Sequence, residues 1–242
     1  MSEKLRLDKL LGHMGLGSRK EVRSLIKQGQ VSINGIVVKK PEQTVDAASA
    51  QIICCGQPVQ YEPFIYLMMN KPAGYLSATE DMRDPTVMAL LPKPYSQMAL
   101  FIAGRLDKDT EGFLLLTNNG QFAHNMLSPK KHVPKTYYAR LNGQVTAEDI
   151  TRFAQGLTLE DGMICQPAEL TIIKAGPVSE ILLTITEGKF HQVKRMFEAV
   201  GKSVTYLKRV QIGQLPLDES LGPGQIKKLD ASDLERIGAS LS

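Results

Sequence analysis

The sequence predicts an α+β protein, with a small helix–helix–hairpin module at the N-terminus and a larger, mainly antiparallel mixed β-sheet domain after it. Within the first 40 residues, apolar side chains at helical spacing precede an Asn-Gly turn signal. Beyond residue 63, strand-like runs outnumber helical ones. These strands are too close in sequence for parallel crossover units, which favours antiparallel pairing with helices on a face of the sheet. We place the domains at residues 1–61 and 62–242.

The N-terminal module is specified by local signals. Apolar side chains at helical spacing predict a first helix, and they are Leu7, Leu10, Leu11 and Met14. Ser18 and Glu21 form a capping box that begins a second helix. Asn34-Gly35 then predicts a type I′ turn in a hairpin. Residues 52–53 are expected to be the last strand of the module, followed by a linker that ends at Pro63.

The larger domain is rich in apolar runs typical of buried strands. The predicted strands are residues 64–69, 98–103, 113–116, 136–141, 168–173, 181–186 and 204–210. The predicted helices are residues 146–155 and 190–200. This order indicates a sheet built largely from neighbouring strands.

The composition is typical of a cytoplasmic globular protein. Hydrophobic residues make up 43% of the 242, but no apolar run approaches a membrane span, and the polar start does not resemble a signal peptide. The cysteines form neither a disulfide framework nor a metal-binding pair, and they are Cys54, Cys55 and Cys165. The histidines are scattered without a paired carboxylate or thiol, and they are His13, His124, His132 and His191. We therefore expect no metal, no cofactor and no membrane contact, and we expect a monomer.

The positive charge is concentrated in the N-terminal module. Residues 1–40 carry a net charge of +6 and the remainder −2. Arg19, Arg23 and Lys27 lie four residues apart on the second predicted helix, without acidic residues on the same face. A solvated helix face is the ordinary explanation of such a stripe, but the charge asymmetry favours a surface that docks on a polyanion.

A short charged loop, residues 104–112 with the sequence GRLDKDTEG, lies between two of the predicted strands. Such a loop presents polar side chains to a ligand while the sheet fixes their positions. Arg105 beside Asp107 suggests an anion clamp next to a carboxylate. Taken alone, the loop also fits a plain turn whose Asp and Thr side chains bond local amides.

This loop resembles the catalytic motif of the bacterial ribosomal small subunit pseudouridine synthases. Three further segments resemble motifs of that family, in the expected order: NKPAGY at 70–75, KTY at 135–137 and EGKFHQVKRMF at 187–197. Departures occur at Glu111, Phe113 and Asn119, away from the position that matches the nucleophile. The N-terminal module is similar to the RNA-binding module first seen in a small-subunit ribosomal protein. The resemblance covers nearly the whole chain and implies a bifurcated sheet with an active-site cleft across its middle.

The resemblance implies the isomerisation of uridine to pseudouridine, which breaks the bond from the ribose to a ring nitrogen and rejoins the base through carbon 5. Asp107 is the expected catalytic carboxylate, acting as a nucleophile on the anomeric carbon or as a base on the ribose. Lys194 is expected to be its cationic partner, and Arg195, on the far face of the same predicted helix, to contact the RNA backbone. Tyr137 is expected to stack on the flipped base and to help remove the carbon 5 proton.

Three further residues are assigned to RNA binding. Arg105 is expected to hold a phosphate or to fill the gap left by the flipped base. Asn70 and Lys71, at the end of a predicted strand, are expected to support the catalytic loop, with Lys71 also touching RNA. Asp109 is expected to cap the loop or bond to its backbone, although a two-carboxylate glycosidase is the formal alternative.

The expected partner is ribosomal RNA, most directly 16S rRNA in a small-subunit assembly intermediate. The motifs at 128–132 and 189–192 are closest to the small-subunit enzyme, but synthases that modify 23S rRNA have the same layout. A noncatalytic RNA-binding assembly factor and a hydrolytic nucleosidase are the alternatives from other classes.

Overall fold

The computed structural model describes residues 4–128 and 131–239. Pro129 and Lys130, part of the motif at 128–132, lie outside the described residues. The described chain divides into two compact units. The first consists of residues 4–65 with 88–100, and the second of residues 66–87 with 101–239.

The first unit contains two helices and six short strands. In chain order they are β1 (Lys4–Arg6), α1 (Leu7–His13), α2 (Arg19–Lys27), β2 (Val31–Ile33), β3 (Ile36–Val37), β4 (Thr44–Asp46), β5 (Ile52–Cys54) and β6 (Gln57–Val59). One sheet has the order β3-β2-β5-β6, and β1 pairs with β4. The apolar sides of both helices pack with β2 and β5 in one core.

The local signals of this unit formed the expected elements. Ser18 Oγ accepts a hydrogen bond from the Glu21 amide, and Glu21 Oε2 accepts one from the Ser18 amide, which completes the capping box. Asn34 and Gly35 have φ angles of 50° and 80°, as a type I′ turn requires. The expected linker is wrong in part, because β6 follows β5 and extends the sheet before Pro63.

The second unit contains a nine-stranded sheet with helices. Its strands are β7 (Tyr66–Lys71), β8 (Phe101–Ala103), β9 (Glu111–Thr117), β10 (Lys135–Asn142), β11 (Glu169–Lys174), β12 (Val178–Ile185), β13 (Ser203–Ile212), β14 (Leu215–Pro216) and β15 (Ile226–Lys228). Its helices are α3 (Gly120–Leu127), α4 (Ala147–Gln155), α5 (Gln192–Glu198) and α6 (Ala231–Ile237). Short 3₁₀ turns occur at Val87–Leu90, where the chain passes from the second unit to the first, and at Tyr95–Gln97 in the first unit.

The nine-stranded sheet has two antiparallel halves joined at its middle. The strand order is β11-β12-β10-β13-β9-β7-β15, with β14 beside β13 and β8 beside β9. β13 and β9 pair in parallel at two positions, Lys208 with Glu111 and Arg209 with Gly112, whereas the neighbouring strand pairs are antiparallel. The α+β class and the mainly antiparallel mixed sheet are confirmed.

Several predicted bounds need correction. The strand expected at 98–103 begins at Phe101, because the chain before it forms the turn at Tyr95–Gln97. The helix expected at 190–200 begins at Gln192, because His191 has the left-handed φ angle of 48°. Helix α3 has no counterpart among the predicted helices, although Asn119 caps its first turn by accepting a hydrogen bond from the Phe122 amide.

Candidate active site

The loop between β8 and β9, residues 104–110, lies where the two halves of the sheet meet, and we call it the motif loop. Immediately after it, Gly112 has a φ angle of 99°, and a Cβ atom there would collide with the main chain of Arg209. Glycine permits both the positive φ and this close approach of β9 to β13. The local sequence therefore fixes the loop at the junction of the sheet.

Lys71, at the end of β7, holds the motif loop from behind. Its side chain is fully buried, and its Nζ donates to the carbonyls of Pro72 at 3.0 Å, Lys108 at 3.2 Å and Thr110 at 2.8 Å. Burial lowers the pKa of Lys71 to about 8, although nearby carboxylates, Asp109 first among them, oppose this effect. The amine thus holds the backbone around the motif loop in place by three hydrogen bonds.

Two further side chains fix the loop by hydrogen bonds to its backbone. Ser77 Oγ donates to the Leu106 carbonyl at 2.8 Å and accepts from the Leu106 amide at 3.1 Å. Arg209, on β13, is 2% exposed and donates to the carbonyls of Gly104 at 2.8 Å and Phe113 at 2.7 Å. The backbone on either side of Asp107 is therefore held by buried polar groups.

Asp107 presents its carboxylate toward α5. Lys194 Nζ lies 3.3 Å from Asp107 Oδ2, and His191 Nε2 lies 3.7 Å from Oδ1. The side chain of Asp107 remains 28% exposed. The carboxylate therefore lies beside two nitrogen groups and is open to a ligand on its exposed side.

Lys194 is shared between two carboxylates. Its Nζ lies 2.7 Å and 2.9 Å from the oxygens of Asp109, closer than to Asp107. Partial burial disfavours the charged amine, but the hydrogen bond to Asp109 and the charge of Asp107 together raise the pKa of Lys194 above its usual value. The expected backbone or capping role of Asp109 is therefore incomplete, because its carboxylate pairs with Lys194.

Tyr137 lies on β10 and is 8% exposed. The guanidinium of Arg209 donates to the Tyr137 hydroxyl at 3.4 Å and lies 6.0 Å from its ring centroid. Lys135, two residues earlier on the same strand, is also buried, and burial together with the charge of Arg209 lowers the pKa of Lys135 to about 8. The Tyr137 hydroxyl thus accepts a hydrogen bond from the buried Arg209, and the buried Lys135 lies two residues away on the same strand.

These side chains line one cleft of about 880 Å³. Among the lining residues are Arg105, Asp107, Tyr137, Lys194 and Arg209. The volume is in the range of small-molecule sites and accommodates a nucleotide. The structure therefore brings together the expected carboxylate, its cation, the aromatic residue and Arg105, which is exposed.

Three residues that are expected to contact RNA already bond to protein groups in the structure. Lys71 is fully buried and bound to protein carbonyls, and Asn70 is 7% exposed and donates from Nδ2 to the Leu221 carbonyl at 2.7 Å. Arg195 lies 2.6 Å from Asp161, so its charge is already paired. The expected support of the loop by Lys71 agrees with its hydrogen bonds.

The basic stripe of α2 is only partly free of acids. Arg23 lies 3.7 Å from Asp8 of α1, which also pairs with Arg6 at 2.8 Å. The hydrogen bond from Arg6 is the largest cause of the lowered pKa of Asp8. Arg19 and Lys27 are exposed. The expectation that no acid faces the stripe is therefore wrong at Arg23, because the acid comes from the preceding helix.

Sequence reasoning missed Arg209, Lys135 and His191. Arg209 could have been found, because it is a charged residue within an apolar predicted strand. Lys135 could have been found because it is the first residue of the KTY segment. His191 falls inside the helix predicted at 190–200, whereas α5 begins one residue after it.

Within residues 4–128 and 131–239, no three His, Cys, Asp or Glu side chains cluster closely enough to hold a metal ion. In the same described ranges, no helix is long and apolar enough to cross a membrane.

Comparisons with known proteins agree with this geometry. The RNA pseudouridylate synthase family model matches residues 65–199, and the S4 domain model matches residues 5–52. The RNA pseudouridine synthase YtzG of Bacillus subtilis is 51% identical over 234 residues, covering 96% of this chain and 98% of that protein. A crystal structure of a pseudouridylate synthase is 36% identical with a TM-score of 0.68, and the match covers 96% of this chain and 99% of that one.

Relatives with two different subunit names are equally similar. Ribosomal small subunit pseudouridine synthase A of Yersinia pestis is 38% identical over 243 residues, covering 97% of this chain and 99% of that protein. Ribosomal large subunit pseudouridine synthase B of Bacillus subtilis is 38% identical over 237 residues, covering 97% of this chain and 96% of that protein.

Proposed function

Because the chain belongs to the RNA pseudouridylate synthase family, we propose that it isomerises a specific uridine of ribosomal RNA to pseudouridine, with Asp107 as the residue that acts on the ribose. One observation carries the assignment of the site. Asp107, Lys194 and Tyr137, which are far apart in sequence, line the same cleft at the sheet junction.

The reaction needs an ionised carboxylate at the sugar. Asp107 meets this need, because Lys194 lies 3.3 Å from it and the surrounding loop backbone is fixed. The carboxylate either attacks the anomeric carbon or removes a proton from the ribose, and both routes release the base from its nitrogen linkage. Lys194 stabilises the ionised acid in either case.

The base must be extruded from RNA to reach Asp107. Tyr137 offers a ring at the wall of the cleft, with its hydroxyl held by Arg209 at 3.4 Å. In our proposal the uracil ring stacks on Tyr137, and the hydroxyl takes part in removing the proton from carbon 5. Arg105, exposed at the cleft, holds a phosphate or occupies the gap left by the flipped base.

A two-carboxylate glycosidase mechanism is disfavoured by the charge on Asp109. Such a mechanism needs a protonated acid beside the leaving group, hence a raised pKa. Burial of Asp109 acts in that direction, but the hydrogen bond and the charge of Lys194 outweigh it and lower its pKa. Asp109 therefore serves, in our proposal, to orient Lys194.

For the RNA target we propose the small subunit, with 16S rRNA in an assembly intermediate as substrate and a monomeric, cytoplasmic enzyme. The motifs at 128–132 and 189–192 favour it. The 38% identity to both a small-subunit and a large-subunit enzyme keeps 23S rRNA as the alternative target. Residues 5–52, which match the S4 domain, supply the RNA-docking surface in either case.

Chemical tagging of pseudouridine tests the function. The purified protein is incubated with unmodified 16S and 23S rRNA, each both as free RNA and in partly assembled subunits, and the tagged positions are mapped by sequencing. We expect one new pseudouridine in 16S rRNA. A site in 23S rRNA alone would contradict the target, free uracil would indicate a nucleosidase, and binding without product would indicate a noncatalytic factor.

A further inference from the structure

Phe190 is an exposed aromatic side chain at the cleft. Its relative exposure is 72%, although it lies in the segment between β12 and α5 that contributes several lining residues. Its ring is stacked on the imidazole of His191, with centroids 3.8 Å apart and planes inclined by 18°. One face of the phenyl ring is therefore covered by His191.

The uncovered face of this aromatic ring lies beside a nucleotide-sized cleft, so it is available to a ligand that enters the cleft, and covering its apolar surface would be favourable. Nucleobases have flat apolar faces that stack on aromatic side chains, largely irrespective of base identity. The target base itself has Tyr137 deeper in the cleft. A base at Phe190 would consequently be a different one.

The segment that carries Phe190 is well fixed. The Lys189 amide donates to Gln192 Oε1 at 2.9 Å, and the Gln192 amide donates back to the Lys189 carbonyl at 3.2 Å. Gln192 Nε2 also donates to Glu187 Oε1 at 2.6 Å. A ring on such a segment loses little conformational freedom when a base stacks on it, which favours binding.

His191 connects this ring to the reacting centre. Its left-handed φ angle of 48° ends the loop and turns the imidazole toward Asp107, where Nε2 lies 3.7 Å from Oδ1. The stacked pair of Phe190 and His191 thus extends from Asp107 to the solvent-exposed rim. A nucleotide next to one whose ribose is at Asp107 is within reach of that rim, because adjacent nucleotides are covalently linked.

We propose that Phe190, backed by His191, is a stacking site for an unpaired nucleobase adjacent to the target uridine. The proposal rests on the proposed function, since it places the target ribose at Asp107. The phenyl ring offers no hydrogen bonds, so the site selects for an unpaired base with a large stacking face.

Steady-state kinetics give the first test. The substrates are the rRNA fragment identified by the tagging experiment and two versions of it, each abasic at one nucleotide adjoining the target. With intact RNA, Phe190→Ala and Phe190→Leu should raise KM about 5- to 100-fold and change kcat less than about twofold. Phe190→Tyr should retain the wild-type KM. Phe64→Ala is the matched control, because Phe64 is also exposed, at 49%, and lies in the first unit.

One abasic substrate should remove the difference between the wild type and Phe190→Ala, which identifies the stacked neighbour. If the KM effect persists with both abasic substrates, or if Phe190→Leu behaves like the wild type, the stacking site is refuted.

A fluorescence measurement separates this proposal from the proposed function. The chain has no tryptophan, so Phe190→Trp introduces a single indole. In an Asp107→Asn background, which is intended to keep the RNA unmodified, we expect quenching by the intact fragment and loss of quenching with the abasic neighbour. If no pseudouridine is ever formed, a uridine-centred nonamer of adenosines replaces the fragment. Quenching by the nonamer would support the stacking site even though the proposed function is wrong. If the RNA that is used causes no quenching, the stacking site is refuted.

Discussion

The two sides of the motif loop use lysine in opposite ways. Behind the loop, Lys71 is fully buried, binds three neutral carbonyls and has its pKa lowered to about 8. On the cleft side, Lys194 lies beside Asp107 and Asp109 and has its pKa raised. The first arrangement holds the backbone, and the second holds charge at the cleft.

This difference shows that a residue type near a site does not define its role. A lysine that donates to carbonyls fixes the backbone conformation, so its substitution is expected to lower the free energy of unfolding first. A lysine that pairs with carboxylates stabilises their negative charge, so its substitution is expected to lower kcat first.

Asp107→Asn should have the largest effect. It removes the charge that acts on the ribose while keeping the shape of the side chain, so turnover should fall by at least about 1000-fold. Binding of rRNA should stay within a few-fold, since the residue is not expected to hold the RNA backbone. Single-turnover rates and equilibrium binding measure the two effects.

Asp109→Asn is the matched control for this substitution. Asp109 bonds to Lys194 but is proposed only to orient it, so the variant should remain clearly active. An equal loss in both variants would support the two-carboxylate mechanism instead.

Lys194→Met and Arg195→Met are neighbouring substitutions on α5 with different expected effects. Loss of Lys194 leaves Asp107 with less positive charge beside it and should lower kcat about 10- to 100-fold. Arg195 pairs with Asp161, whose side chain is 53% exposed, so its loss should lower kcat less than about fivefold. The reverse order in kcat would show that Arg195, and not Lys194, supports the reacting acid.

Lys71→Met should act on stability. It removes the donor to three carbonyls and should lower the free energy of unfolding by about 1–3 kcal/mol. The pH dependence follows from the lowered pKa of Lys71, about 8 against the usual 10.5. Between these values the unfolded chain binds more protons at this lysine, so its contribution to stability rises with pH. Denaturant unfolding from pH 7 to 10 should show a more favourable pH trend in the wild type than in Lys71→Met.

Lys135→Met is the comparison variant, because burial also lowers the pKa of Lys135 to about 8; it should flatten the pH trend as well, while leaving the loop carbonyls bound to Lys71. If Lys71→Met changes turnover strongly and leaves stability and its pH trend unchanged, the proposed difference between the two sides of the loop is wrong.

Signals contained within a few residues could be predicted from sequence. The capping box at Ser18 and the turn at Asn34-Gly35 depend on neighbours in the chain, and both formed as expected. The strand-flanked loop around Asp107 was also recognisable, because its charged residues interrupt two apolar runs. The assignment of a catalytic role to Asp107, however, depended on resemblance.

Contacts between distant segments could not be predicted in this way. Lys71 can be buried because the carbonyls of residues 108 and 110 accept hydrogen bonds from its amine. The alternation of residues along a strand does not predict these partners. Lys208 and Arg209 alternate along β13, and only the register with β9 shows that Arg209 faces inward at Gly112. The helix predicted at 190–200 begins later, at Gln192, because His191 has a left-handed conformation.

Substitutions of the cations of α2 should have the smallest effect on function. In this first unit, too, the partner of each cation is expected to decide its role. Arg19 and Lys27 are exposed, whereas Arg23 already faces Asp8 at 3.7 Å. Each lost phosphate contact reduces the slope of log affinity against log salt by about one unit. Substituting Arg19 and Lys27 together by Ala should therefore make the slope shallower by up to about two units, and Arg23→Ala should change it less. Salt titrations of binding to a 16S rRNA fragment measure all three proteins, with circular dichroism as the check that α2 remains folded. An unchanged slope in the double variant would mean that these charges are only a solvated helix face, and the RNA-docking role of α2 would be abandoned.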